Sequence, residues 1–129
     1  MLLFGGQNLQ LCDCSLSGEA KSTELCKVFS GTPGFMSPEI YRCIPFHPVP
    51  ADAWSVGVSA VFMLTANFAF RPQLLPNEML IQQRNYRMPS TFRRRVWSVG
   101  ESLLTFEAER RMSIEEALKT KWLSNSDEA

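Results

Sequence analysis

From Ala53 to Phe70 the chain runs for eighteen residues without a charge, and few arrangements can absorb such a stretch. That length touches the threshold for a membrane span. Ser55, Gly57, Ser59, Thr65 and Asn67 interrupt it, and no basic flank precedes it, which disfavours a transmembrane reading. A helix apolar on nearly every side in a non-membrane chain is a helix surrounded by protein. Asp52 stands just before the run, where a carboxylate suits a helix N-terminus. The expectation is a central core helix over Asp52–Ala66, with Asp52 at its start and Trp54 and Gly57 in its first turns.

A core helix needs elements around it, and 129 residues provide one modest domain with a real core. Thirteen basic residues balance thirteen acidic ones, so no global charge steers the chain to nucleic acid or to a membrane surface. "MLLF" is followed at once by Gly5-Gly6, leaving neither a basic n-region nor an apolar h-region for a signal peptide. Cys12, Cys14, Cys26 and Cys43 contain no C-x-x-C pair, which argues against a zinc site built from them and His47. Free thiols in a reducing compartment, cytoplasm or nucleus, are the expectation.

Around the long helix the pattern is mostly helical. Leu2–Phe4, the Gly5-Gly6 pair and the alternating Leu9-Gln10-Leu11 read as a short β-hairpin. Residues 15–30 show no period and read as a loop. Asn77–Arg84 and Phe92–Thr105 carry helical spacing. Ser113 followed by Glu116 has the capping-box spacing and opens a last helix through Leu118 to about Leu123. The fold class is mainly α with a short N-terminal β-hairpin.

One stretch remains: "GTPGFMSPE", Gly31 to Glu39, sets apolar residues in a loop of Gly, Pro, Thr and Ser. In order with "LCDCSLS" before it, "ADAWSVGV" after it and "FEAERRMSIEEALKTKW" near the end, it resembles the C-terminal lobe of a Ser/Thr protein kinase. "DCS" stands where that family has D-F-G, "SPE" where it has A-P-E, and "DAWSVG" is similar to its D-x-W-S-x-G. Arg111 and Trp122 match the closing stretch, with Thr120-Lys121 in place of His-Pro. The spacing of "RCIPFHPVPADAW" is similar to that of the checkpoint and calmodulin-dependent kinase groups.

The resemblance implies roles. Gly31, Thr32, Pro33 and Gly34 become the backbone platform that meets a substrate peptide, with Phe35 and Met36 as its apolar floor. Glu39 pairs with Arg111 and pins the platform to the helical lobe; two exposed charges without contact are the bland alternative. Asp13 becomes the magnesium carboxylate, although a lone Asp after a strand is equally a turn residue. Cys14 and Ser15 depart from the pattern, since Cys14 lacks the bulk of the family's Phe and Ser15 the freedom of its Gly. Ser22, Thr23 and Ser30 fall where activation-loop phosphosites lie. His47, between Phe46 and Pro48, reads as a loop packing residue, and Arg93-Arg94-Arg95 as a solvated helix start rather than a nucleic-acid contact.

Phosphoryl transfer in the family also requires a glycine-rich loop, a strand Lys paired to a helix Glu, and a catalytic-loop Asp and Asn. None of these stands among the twelve residues before Asp13. In the family's register Met1 falls one position after the catalytic-loop Asn, so the resemblance implies a lobe truncated at its N-terminus. The segments become 1–15 (hairpin and "DCS"), 16–39 (activation segment), 40–123 (helical lobe) and 124–129 (tail). ATP and magnesium are implied for the full-length family and no cofactor for this chain, which is expected to be catalytically incompetent alone. The alternative is a pseudokinase-type binding module. A helix face including Val56, Ala60 and Met63 is expected to lack cover, inviting a protein partner or self-association.

Overall fold

The computed structural model describes residues 2–4, 8–21 and 23–124. Strands β1 (Leu2–Phe4) and β2 (Asn8–Gln10) pair antiparallel, with Leu3 opposite Leu9. The expected Gly5-Gly6 turn lies outside the described residues, as does Ser22. From Leu11 to Thr32 no helix or strand forms among the described residues. One isolated bridge joins Cys26 to Phe46, each donating its N–H to the other's carbonyl at 2.7 and 3.1 Å. The remainder is helical: α1 (Pro38–Tyr41), α2 (Pro48–Thr65), α3 (Pro76–Arg84), α4 (Arg94–Leu103), a 3-10 turn (Ala108–Arg110), α5 (Ile114–Leu118) and α6 (Lys121–Ser124). The fold is mainly α behind a short hairpin.

Proline starts three of these helices. Pro38, Pro48 and Pro76 each occupy the first helical position, where the missing N–H is costless and the fixed φ is already helical. This corrects the expected start of the long helix. It begins at Pro48, so Asp52 lies in its second turn and its first turn carries no acidic residue. His47 is its N-cap residue and is exposed rather than packed. At the other end Ala66 turns left-handed (φ 55°) and donates its N–H to Phe62 O, while Asn67 Nδ2 donates to Thr65 O at 2.8 Å.

The core lies on one side of α2. Trp54, Val58 and Val61 join Phe70, Met79, Met88 and Leu104 in the larger cluster, and Ala53 joins Val99, Leu103 and Ala117 in a second. Trp54 is fully buried and stacks on Phe70 with ring centroids 5.4 Å apart, a pair contributing about 1 kcal/mol beyond its buried area. Gly57 lets α2 and α4 approach: a Cβ there would stand 2.9 Å from Leu103 Cβ. The opposite face of α2 is open, with Val49, Val56 and Met63 exposed, so the helix is covered on one side rather than all round.

Two further boundaries differ from expectation. Phe92 precedes α4 and packs against the core from the loop. The last helix is two: Thr120 Oγ1 donates to Ala117 O at 2.7 Å, and Thr120 O accepts from Leu123 N and Ser124 N. A threonine that bonds the carbonyl three residues back competes with the helix ladder and restarts it. The capping box at Ser113 is formed, Glu116 N donating to Ser113 Oγ at 3.1 Å and Ser113 N to Glu116 Oε2 at 2.8 Å. Among the described residues no helix is long and apolar enough to cross a membrane.

Candidate functional site

The loop Gly31–Glu39 is shaped by its own residues and then fastened to three elements. Phe35 N–H donates to Thr32 O at 3.0 Å across Pro33-Gly34. Proline second and a glycine of φ 88° third make the pattern of a type II turn, which needs a positive φ at that glycine. Gly34 also donates its N–H to Tyr41 Oη at 3.1 Å. At Gly31 (φ 155°) a Cβ would meet Met36 Cγ at 2.7 Å. Gly31, Thr32 and Pro33 are exposed, whereas Gly34 is buried.

Beyond the turn, successive backbone carbonyls are taken by side chains from the helices. Ser55 Oγ on α2 donates to Phe35 O at 3.0 Å, and Gln83 Nε2 on α3 donates to Met36 O at 2.9 Å. Glu39, in α1, meets Arg111 from 72 positions along the chain. Arg111 Nη1 lies 2.7 Å from Glu39 Oε1, and Nη2 lies 3.2 Å from Oε2. Its remaining donors go to Thr105 O (2.9 Å), Pro50 O (2.7 Å) and Phe106 O (3.2 Å). All five guanidinium N–H groups are thereby used. The guanidinium also sits 5.1 Å above the Trp54 ring. Glu39 and Arg111 are 6% and 7% exposed; a buried pair this fully bonded offsets its desolvation, and removing one partner strands a charge.

Asp13 lies elsewhere and in other company. It is exposed, its backbone is left-handed (φ 62°), and its Oδ1 accepts from Ser15 Oγ at 2.8 Å. That is the local geometry of an Asx turn. Cys14 beside it is exposed and fills no apolar site. Magnesium in nucleotide sites is held by one or two carboxylates together with phosphates and water, and the Asp13 carboxylate is here engaged by a neighbouring hydroxyl. Among the described residues no three His, Cys, Asp or Glu side chains converge to hold a metal ion.

Asp52 is not joined to Asp13. It lines a cleft of about 550 Å³ between the loop and α2, with Val28, Thr32, Met36 and Phe46 among the walls. Partial burial beside these apolar groups raises its carboxyl above the usual value. Sequence reasoning passed over Tyr41, Ser55 and Gln83, the three side chains that fasten the loop. Nothing local marks them, because each is defined by a backbone group 7, 20 or 47 positions away.

With that geometry in view, comparison with known proteins is direct. A profile of the protein kinase domain matches residues 1–123. The probable serine/threonine-protein kinase HSL1 of Saccharomyces cerevisiae is 26% identical over 123 residues, covering 95% of this chain and 8% of its own length. CBL-interacting serine/threonine-protein kinase 7 of Arabidopsis thaliana is 31% identical over 129 residues, 98% of this chain and 30% of the relative. Calcium/calmodulin-dependent protein kinase type II of Caenorhabditis elegans is 28% identical over 127 residues, 95% and 18% respectively. The chain thus spans less than a third of the length of these relatives. The mainly helical body, the loop joined to it through Glu39 and Arg111, and the profile across nearly all of the sequence agree: the chain belongs to the protein kinase domain family, in an arrangement matching that fold's C-terminal lobe.

Proposed function

We propose that this chain is the peptide-docking, helical part of a Ser/Thr protein kinase domain, and that the 129-residue polypeptide does not by itself transfer phosphate. Its layout is then a hairpin and "DCS" over 1–15, an activation segment over 16–39, a helical lobe over 40–123 and a tail over 124–129. The observation that carries the proposal is the contrast at the two acidic positions. Glu39 is buried in a bidentate pair that holds the loop to the body, while Asp13 is spent on a local turn. Gly31, Thr32 and Pro33 present an exposed, stiff backbone suited to meeting an extended peptide. ATP and magnesium belong to the chemistry of a full-length domain. Membership of the calmodulin-dependent or checkpoint group is supported by the sequence spacing and by the names of relatives such as calcium/calmodulin-dependent protein kinase type II.

The test is phosphate transfer from labelled ATP and magnesium to a mixed Ser/Thr peptide library. The purified chain is expected to incorporate none. Incorporation that persists through purification and disappears in Asp13→Ala overturns the proposal.

A second reading, a pseudokinase-type binding module, is favoured by the open face of α2. Val49, Val56 and Met63 are 53%, 48% and 63% exposed, an apolar stripe of the kind that marks a protein interface. On this reading a protein partner or a second copy covers the stripe. Sedimentation over a concentration series checks self-association: a monomer at every concentration with a sharp cooperative melt counts against it. Sequencing the transcript upstream of the Met1 codon separates the readings. A frame continuing into H-R-D-x-x-x-x-N favours the kinase, and a stop codon with stable protein in cells favours the module.

A further inference from the structure

We infer that the cleft between α3 and α4 is a docking groove for an acidic peptide segment of a partner protein. The cleft encloses about 510 Å³ and is lined by α3, the segment following it, α4 and the turn at Phe106. That is room for two or three side chains. Its apolar floor is half-buried Trp97 and buried Leu104, and its mouth carries Arg84 and Arg87, both exposed.

The charges at this mouth are unbalanced in a chain whose overall charge is zero. Arg84 lies 4.7 Å from the Phe106 ring centroid and Arg42 lies 4.6 Å from the same centroid. Arg42 lines a neighbouring cleft with Glu107 and Glu109, so the guanidiniums of this mouth are those of Arg84 and Arg87. Among the described residues neither Arg84 nor Arg87 has a carboxylate within ion-pair distance. Glu101 is the single acidic side chain lining the cleft, so the mouth keeps a positive excess. Guanidiniums left without an ion-pair partner suit a ligand that supplies one.

A second observation selects a peptide rather than a bare anion. Gln83, 1% exposed, forms part of the same wall. Its Nε2 is given to Met36 O and its Oε1 lies below the surface, so Gln83 shapes this wall without offering a bond to a ligand. Ser98 and Ser102 on α4 donate their hydroxyls to helix carbonyls, which leaves oxygen lone pairs on that wall. The α4 wall therefore offers acceptors and the mouth offers cations. An acidic peptide matches both, with main-chain N–H groups for the acceptors and carboxylates for the arginines.

The test uses the intact chain labelled with ¹⁵N and a dodecapeptide alternating glutamate with glycine, its glutamine counterpart serving as control. Of the three tryptophans, Trp97 lines the groove, so its indole cross-peak is expected to move on titration while those of Trp54 and Trp122 do not. Arg84→Glu with Arg87→Glu is expected to lower affinity about tenfold, and binding is expected to weaken with salt. Arg87→Glu alone retains the Arg84–Phe106 contact and is expected to show part of the loss, which keeps the test open should the double variant misfold. Reversing Arg93 and Arg94, exposed residues that do not line this cleft, is expected to leave affinity unchanged. Equal binding of the glutamine peptide, an unmoved Trp97 signal, or equal loss in the Arg93/Arg94 variant overturns the inference. So does binding of anionic vesicles or oligonucleotides without binding of the acidic peptide.

Discussion

Glu39 and Asp13 are both carboxylates at positions that resemble kinase motifs, and their surroundings could hardly differ more. Glu39 is buried, bidentate to an arginine 72 positions away, and sits among carbonyls and an indole that complete the arginine's bonding. Asp13 is exposed and bonded two residues along the chain. A carboxylate bound across the fold reports tertiary structure, whereas one bound to its neighbour reports a turn. Motif resemblance is the same at both positions; only the packing tells which retains a structural task in this chain.

The contrast can be broken experimentally, beginning where the effect is largest. Arg111→Ala leaves Glu39 buried and unpaired, and a loss of about 3–5 kcal/mol in urea unfolding is expected, enough to unfold a lobe of ordinary stability. Gly34→Ala tests the loop's conformation rather than its anchor. It forces a Cβ into a φ of 88° near Phe70 O, and a loss of about 1–3 kcal/mol is expected from the same measurement. Ser113→Ala removes an N-cap and is expected to cost about 1 kcal/mol.

Two acids should give opposite pH signatures in unfolding experiments. Glu116 is held below its usual value of 4.5 by the backbone and hydroxyl bonds of Ser113. Its contribution is therefore present above pH 4.5 and is lost as pH falls through its folded pKa. Asp52 is raised above 3.8 by burial, so the folded state holds its proton where the unfolded state has released it. Ionisation there opposes folding, and stability from this group declines as pH rises through the window above 3.8. Asp52→Asn should remove that decline, and Ser113→Ala should flatten the acid-side loss due to Glu116. The smallest effect belongs to Asp13→Asn, which keeps a turn-forming side chain on the surface and should stay within about 0.5 kcal/mol of wild type. A large loss there would erase the contrast with Glu39.

Much of this architecture was legible because it is written locally. The uncharged run marks α2, Ser113 and Glu116 mark α5, and Thr32-Pro33-Gly34 marks a turn through residues whose φ values are restricted or free. What was misread depended on competition between local signals. Asp52 looked like a helix start because a carboxylate belongs there, but Pro48 and Pro50 lie upstream and the helix starts at Pro48. The last helix looked continuous until the Thr120 hydroxyl took a carbonyl from its ladder. What was illegible is non-local: the Cys26–Phe46 bridge, the two guanidiniums on Phe106, and the bonds from Ser55 and Gln83 to the loop backbone. Their partners are chosen by chain folding, and no periodicity encodes them.

The most direct test of the account is a double-mutant cycle on Glu39 and Arg111, using Glu39→Gln, Arg111→Met and the double variant in urea unfolding. If the pair fastens the loop to the helical body, each single change is strongly destabilising and the double change costs clearly less than the sum of the two. The expected coupling is about 1–3 kcal/mol. Losses that add to within about 0.5 kcal/mol would mean that the two side chains act independently, and would contradict the anchor on which the docking role rests.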